Sequence, residues 1–342
     1  MKISVVMPVY NGARFLAATL DSVLSQTLST WELIVVDDGS TDHSIAMASS
    51  YAARDERIRV VCQCNGGVAE ARNRGYGEIS SGSAGVVFLD HDDVWHPEAL
   101  SILSAELSAH PQAVVAHALA RMTDLLGKPY GSPEGIVMSC PRRKIAGNRI
   151  VTCSRVEPTT FSLLICDCCL CTPGIVLTRR TELDALAAEG QPLFDQGVAP
   201  GDDWDLWLRL SLRGDFAYVD RVLLDWRQHE SNGSKQEDVT HAAESRVRRK
   251  VIDLPGLTPE QRRLARYRFR RVYASVERHN ARDIGRWVRE SLLERRMART
   301  AALLREWQRH YFAYLSARFP WSPRDYERPI PLRQKTPPAG IP

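Results

Sequence analysis

Nowhere in its 342 residues does the chain offer about eighteen uninterrupted apolar side chains, so no membrane-spanning helix is expected. MKISVVMPVY has one Lys and then an apolar stretch, but no small-residue cleavage site follows. It reads as a first strand rather than a secretory leader. No segment repeats. Disorder-promoting composition is also missing: 44% of the residues are hydrophobic and 25% charged, the balance of an ordinary soluble globular protein. The eight cysteines have no leader to carry them to an oxidising compartment, so reduced thiols in a cytoplasmic setting are expected. Four of them crowd into CDCCLC, residues 166–171, and the others form no C-x-x-C pair. Structural or substrate-lining thiols are therefore expected there rather than a tetrahedral zinc cage.

The net charge of +4 conceals a division. Residues 241–342 hold 24 Lys and Arg against 10 Asp and Glu, a net of +14, which leaves −10 on the remainder. In that remainder, strand-like segments (KISVVMPVY, WELIVVDD, RIRVVCQ, GVVFLD, AVVAHAL) alternate with helix-period ones (FLAATLDSVLSQ, STDHSIAMASSYAARD, GVAEARNRGYGEI, HPEALSILSAELSAH). This β-α-β-α order predicts an α/β fold with a mostly parallel, doubly wound sheet and helices on both faces. Ligands of such sheets gather beyond the carboxyl ends of the strands. From about 120 to 172 the pattern loosens into an excursion of strands or loop. It returns at PGIVLTRR, TELDALAAEG, GDDWDLWLRLSLRG and FAYVDRVLLDWRQH. After about 240 the chain is helix-compatible and Arg-rich, ending in a Pro-rich tail, and a domain division is expected near 240.

Acids stand where the strands should end. VVDDGSTD puts Asp37 and Asp38 ahead of Ser40 and Thr41, either of which is a good helix N-cap. VFLDHDD puts Asp90, Asp92 and Asp93 after the fourth run. Carboxylates of that kind suit Mg²⁺ or Mn²⁺, which favour oxygen ligands and retain substrate phosphates in their shell. Asp93, with Trp95, His96 and Pro97 behind it, reads as the polar approach to the next helix. PVYNG supplies Pro8 and Tyr10, an aromatic that could stack on a planar base, while Asn11 and Gly12 shape the turn. GVAEARNRGYG carries Arg72 and Arg74, each able to meet a diphosphate bidentately. Asp202 and Asp203 head an amphipathic helix with Trp204, where the helix dipole favours an ionised acid ready to act as a general base. DWRQHESNGS adds His229 after a strand.

In order, PVYNG, VVDDGSTD, ARNRG, FLDHDD with a following W-x-P, DDWDLWLRL and WRQHESNGS resemble the family-2 glycosyltransferases of GT-A fold. The resemblance spans about residues 1–235. It implies a Rossmann-like GT-A catalytic domain over 1–240, with a nucleotide-sugar half over about 1–118 and an acceptor half over about 119–240. A basic helical region with the Pro-rich tail would form 241–342. It further implies that Pro8, Tyr10 and Asp38 or Asp37 hold the base and ribose of a nucleotide-sugar, and that Arg72 or Arg74 lies on the phosphate side. Asp90 and Asp92 would form a D-x-D pair, Asp90 nearer the ribose and Asp92 on Mn²⁺ or Mg²⁺, with His229 approaching the metal or diphosphate. Asp203 would be the base that deprotonates an acceptor hydroxyl, with Asp202, where the family usually has Glu, and Trp204 on the acceptor side.

The activity so implied is inverting, metal-dependent transfer from a nucleotide-sugar to a sugar or lipid-linked acceptor, in cell-surface polysaccharide or glycolipid synthesis. UDP is the family's habitual carrier, with GDP and dTDP open. The alternatives are a non-catalytic nucleotide-sugar-binding protein and a sugar nucleotidyltransferase, although no G-x-G-T-R-type loop follows the first strand to support the latter. The basic region reads as a helical appendage with a solvated face, or as a peripheral contact with anionic lipid at the inner face of the membrane. Nucleic acid is not an expected partner, because no recognition motif accompanies the charge.

Overall fold

A computed structural model of the chain describes residues 1–130, 136–138, 142–146, 149–154, 157–230, 232, 237–293, 297–317, 330–331 and 336. Most of the Pro-rich tail lies outside these residues, as do Cys140, Pro141 of the PRRK run, and Ser231, Gly233 and Ser234 of DWRQHESNGS. The chain divides into two units, Met1–Lys235 and Gln236–Pro342.

The first unit opens with β1 (Ile3–Val9), α1 (Ala13–Leu24), β2 (Trp31–Asp37), α2 (Ser44–Ala52), β3 (Ile58–Cys62), α3 (Val68–Gly77) and β4 (Gly85–Phe88). These four strands pair in parallel in the order β3-β2-β1-β4. Every residue of β1, β2 and β4 is buried, which is why they read as continuous Val/Ile runs rather than alternating ones.

Next come β5 (Val94–Trp95), α4 (Ala99–Ala109), β6 (Val115–Thr123), β7 (Ile136–Met138), the hairpin β8 (Arg143–Ala146) and β9 (Arg149–Thr152), and α5 (Phe161–Leu164). β10 (Val176–Arg179), α6 (Arg180–Ala188), α7 (Asp202–Leu210) and β11 (Phe216–Arg227) complete the unit. The sheet continues from β4 through β10, β6 and β11 to β5, with β7 on β6. β10 runs antiparallel to both neighbours, β6 and β11 are parallel to each other, and β5 and β7 are antiparallel to their partners. Six of the nine strands therefore share one direction. The loosened stretch after residue 120 contains the separate β8–β9 hairpin.

Two local expectations are corrected. α2 starts at Ser44 rather than after Ser40 or Thr41. Ser40 Oγ instead accepts the N–H of Asn11 at 3.0 Å, and Thr41 donates its N–H to Asn11 Oδ1 at 2.8 Å. Asp42 accepts from the N–H of Ser44, at 2.9 Å, and from that of Ala13, at 3.0 Å. Trp95 does not lead directly into a helix either. It lies in β5 against Leu224, its indole donating to the carbonyl of Gly174 at 2.7 Å, and α4 begins only at Ala99.

The second unit contains α8 (Glu237–Ile252), α9 (Pro259–Leu293) and α10 (Met297–Ser316). α9 starts with Pro at its first position and a reciprocal cap. Gln261 donates its N–H to Thr258 Oγ1 at 3.1 Å, and Thr258 donates its N–H to Gln261 Oε1 at 2.9 Å. Ile284, Trp287, Val288 and Leu303 form a buried cluster between α9 and α10.

Candidate active site

The parallel strands bring their carboxyl ends into line, with Val9 beside Asp37 and Val6 beside Phe88. Tyr10, Asp37, Asp38 and Asp90 all follow from these ends. Pro8 is buried within β1, whereas Tyr10 is half exposed at 49%. Asn11 takes a positive φ of 49°, a left-handed turn that Asn tolerates better than most residues. Gly12 passes so close to His91 that a Cβ would lie 2.3 Å from its ring.

The two acids of VVDD have different duties. Asp38 is buried, accepting from the N–H groups of Gly66 and Gly67 and from Gln63 Nε2, each at 2.8 Å. It thereby fixes the loop leading into α3. Asp37 accepts the N–H of Ser40 at 3.2 Å, and its buried Oδ1 has no hydrogen-bond partner among the described residues.

α3 separates its two arginines. Residues two apart lie about 200° apart around a helix, so only one can face inward. Arg74 is at the surface, paired with Glu78 at 2.8 Å. Arg72 is buried: Nη2 donates to Asp90 Oδ1 at 2.7 Å and Nη1 to Asp202 Oδ2 at 2.9 Å. The guanidinium also lies 5.2 Å from the ring centroid of Phe194. Asn73, next along α3, exchanges hydrogen bonds with the Phe194 backbone at 2.8 and 3.0 Å, which keeps that ring in position. Burial opposes the charge of Arg72, but Asp90, Asp202 and Asp203 outweigh it and raise its pKa above the ordinary value.

The acids of α7 also differ. Asp202 is buried against Arg72. Asp203 is half-buried in the helix's first turn, its Oδ1 accepting the N–H of Trp204 at 2.6 Å. Burial and the neighbouring charge of Asp202 push the Asp203 carboxyl up to about 7, against the pull of Arg72. Asp90 adds to the rise, so its charge is felt at Asp203. Trp204 is buried, donating its indole N–H to the carbonyl of Leu164 at 3.0 Å.

VFLDHDD contributes three unlike carboxylates. Burial would raise Asp92, but its 2.7 Å hydrogen bond with His229 Nε2 and the charges of His91 and His229 hold it below the usual range. The His229 ring stacks on Phe15, with centroids 4.6 Å apart. Asp93 turns away from the expected helix approach. It is buried, accepts from Thr172 Oγ1 at 2.6 Å, and is raised well above the carboxylic range by burial and by Asp92 and Asp90. It therefore serves as a structural acid tied to Thr172.

Among the described residues no side chain hydrogen-bonds Asp90 Oδ2 or Asp92 Oδ1. These two oxygens are a hard donor set of the kind that fits Mg²⁺ or Mn²⁺. No group of three or more His, Cys, Asp or Glu side chains forms a metal cage among the described residues. Cys166 and Cys169 of CDCCLC are buried, while Cys168 and Cys171 are partly exposed.

Residues 4–152 match the family model described as Glycosyl transferase family 2. This segment belongs to that family. The family-2 segment includes Asp37, Asp90 and Asp92 but ends before Asp202, Asp203 and His229. An uncharacterized glycosyltransferase, EpsJ of Bacillus subtilis, is 45% identical over 91 residues, 27% of this chain and 26% of its own length. An uncharacterized glycosyltransferase of Rickettsia bellii is 29% identical over 212 residues, 62% of this chain. The chain spans about a quarter of the length of each of these relatives (26%). Among solved structures, S. aureus TarS 1–349 superposes with a TM-score of 0.59 at 16% identity, covering 93% of this chain and 91% of TarS 1–349. The family's GT-A fold thus extends beyond the matched segment.

Proposed function

We propose that this chain transfers a glycosyl group from a nucleotide-sugar to an acceptor hydroxyl with inversion at the anomeric carbon. The observation that carries this reading is the position of Arg72, which joins the acid after β4, Asp90, to the acid pair that opens α7. The strand end read as donor-holding and the candidate base Asp203 thus lie about one guanidinium, which bonds Asp90 and Asp202 and feels the charge of Asp203. TarS 1–349, whose fold this chain shares, has been solved with UDP-GlcNAc and with UDP, which favours a UDP-sugar.

Tyr10 and Asp37, at the carboxyl ends of β1 and β2, take the base and ribose. Asp90 and Asp92 would hold Mg²⁺ or Mn²⁺, which when bound supplies positive charge to the diphosphate. The carboxylate of Asp203 accepts the proton of the acceptor hydroxyl as its oxygen bonds to the anomeric carbon. The bond from that carbon to the phosphate oxygen breaks with its electron pair, and the nucleoside diphosphate leaves from the opposite face. Arg72 keeps the Asp90 and Asp202 carboxylates in place and limits the repulsion around Asp203.

Incubation with UDP-sugars and simple glycoside acceptors, followed by proton NMR of the first product, tests the reaction. A product anomer opposite to that of the donor is expected. Retention would overturn the displacement, and donor binding without turnover would make the chain a nucleotide-sugar-binding protein.

A further inference from the structure

Within Gln236–Pro342, α9 and α10 frame a groove of about 680 Å³. Arg278, Arg282, Arg286 and Arg289 line one wall. At 100° and 1.5 Å per residue they fall within an arc of about 80° over about 16 Å of α9. Arg286 pairs with Asp283 at 2.8 Å. Arg278 and Arg282 have no hydrogen bond or ion pair among the described residues. The other wall carries Trp307 and Tyr311, whose rings stack with centroids 4.9 Å apart and planes 9° apart.

Sequence and packing both fix this arrangement. The buried Ile284, Trp287, Val288 and Leu303 cluster ties the helices together, and a buried Glu277–His310 hydrogen bond pins them again. Gly285 lets the Trp307 indole lie close, since a Cβ there would be 3.3 Å from its Nε1.

Along the outer edge of α10, Leu304 and Phe312 are 42% and 63% exposed. They share an arc of about 80°, with Arg305 and Arg309 beyond them, and both of these arginines are exposed. An apolar strip therefore runs between two sets of guanidinium groups. Four clustered arginines with one carboxylate repel one another until an anion arrives. A soluble polyanion would neutralise them but leave Phe312 and Leu304 in water. A bilayer surface satisfies both, with phosphates on the arginines, the aromatic rings at headgroup depth and the apolar side chains at the acyl boundary.

We propose that the α9–α10 face, with the Arg278–Arg289 groove and the Phe312 strip, docks on an anionic phospholipid bilayer. This inference does not depend on the glycosyl-transfer reading. Full-length protein should co-sediment with phosphatidylglycerol-containing vesicles and not with pure phosphatidylcholine vesicles, and added salt should weaken the binding. The double variant Arg278→Glu/Arg282→Glu should lower vesicle partitioning by at least roughly thirty-fold. Phe312→Ala should lower it by about ten-fold while leaving the salt dependence intact. If the double variant does not fold by circular dichroism, Arg282→Gln and Phe312→Ala carry the test. Failure of the wild type to sediment at low salt would overturn the proposal, as would wild-type binding by folded variants. Binding of soluble polyphosphate without vesicle binding would assign the groove to a free polyanion and equally overturn it.

Discussion

Arg72 Nη1 lies 2.9 Å from Oδ2 of Asp202, a carboxylate 130 positions later in the chain. One buried guanidinium therefore decides how α3, the turn after β4 and the start of α7 meet. Removing it would leave Asp202 as a buried, unpaired charge, at a cost of about 3–5 kcal/mol. Arg72→Met should lower the melting temperature sharply and abolish transfer.

Arg74→Ala is the matching control. The pair with Glu78 is at the surface, so its loss should change stability by less than about 0.5 kcal/mol. Chemical denaturation of both variants compares them directly, and equal losses would contradict the division of roles on α3.

Asp203→Asn should lower kcat by about 10²–10⁴-fold while nucleotide binding survives. Since the Asp203 carboxyl is pushed up to about 7, wild-type kcat/KM should rise with pH through that value. The stability effect has the opposite sign. A carboxyl whose folded-state pKa is raised stabilises the fold while protonated, and that contribution is lost as pH climbs from the ordinary value of about 3.9 through about 7. The Asn variant cannot ionise, so its melting temperature relative to wild type should grow across this window. A constant difference would count against the raised carboxyl.

Chelation should stop transfer, and Mn²⁺ or Mg²⁺ should restore it. Asp92→Asn should raise the metal concentration needed for half-activity by at least about ten-fold. Full activity in chelator would remove the metal from the mechanism.

Gly75→Ala should destabilise the fold by about 1–3 kcal/mol without touching any proposed ligand. A Cβ there would lie 2.3 Å from Val6 Cγ1 and 2.9 Å from Val36 Cγ2, in the seam where α3 meets β1 and β2. Unfolding midpoints would measure this cost.

The parallel core was legible because β1, β2 and β4 are buried along their whole length, and burial leaves unbroken Val/Ile runs. β5 was not: two residues are too short for any periodic signal, and what makes them a strand is the pairing of Trp95 with Leu224. The reversed direction of β10 was also hidden, since local sequence does not encode which way a strand points. At the site, the acids could be found but not sorted. Helical spacing says Arg72 and Arg74 must diverge, yet which one turns inward depends on Asp90, Asp202 and Phe194, as much as 130 positions away. Asp93 is a buried partner of Thr172 rather than a helix approach, and Asp38 is engaged by the Gly66–Gly67 backbone. Both outcomes depend on loops that carry no motif.

The turns after β1 and β2 are stitched together: Asn11 and Ser40, Asn11 and Thr41, Gly12 and Ser44, and Ala13 and Asp42 each share a hydrogen bond. These turns cannot be exchanged one at a time. A graft meant to retune donor preference by replacing PVYNG alone would lose its stitches into GSTDHS, and the reverse graft would meet the same mismatch. The two segments form a single transplantable cassette, and engineering at this end of the sheet has to move both or neither.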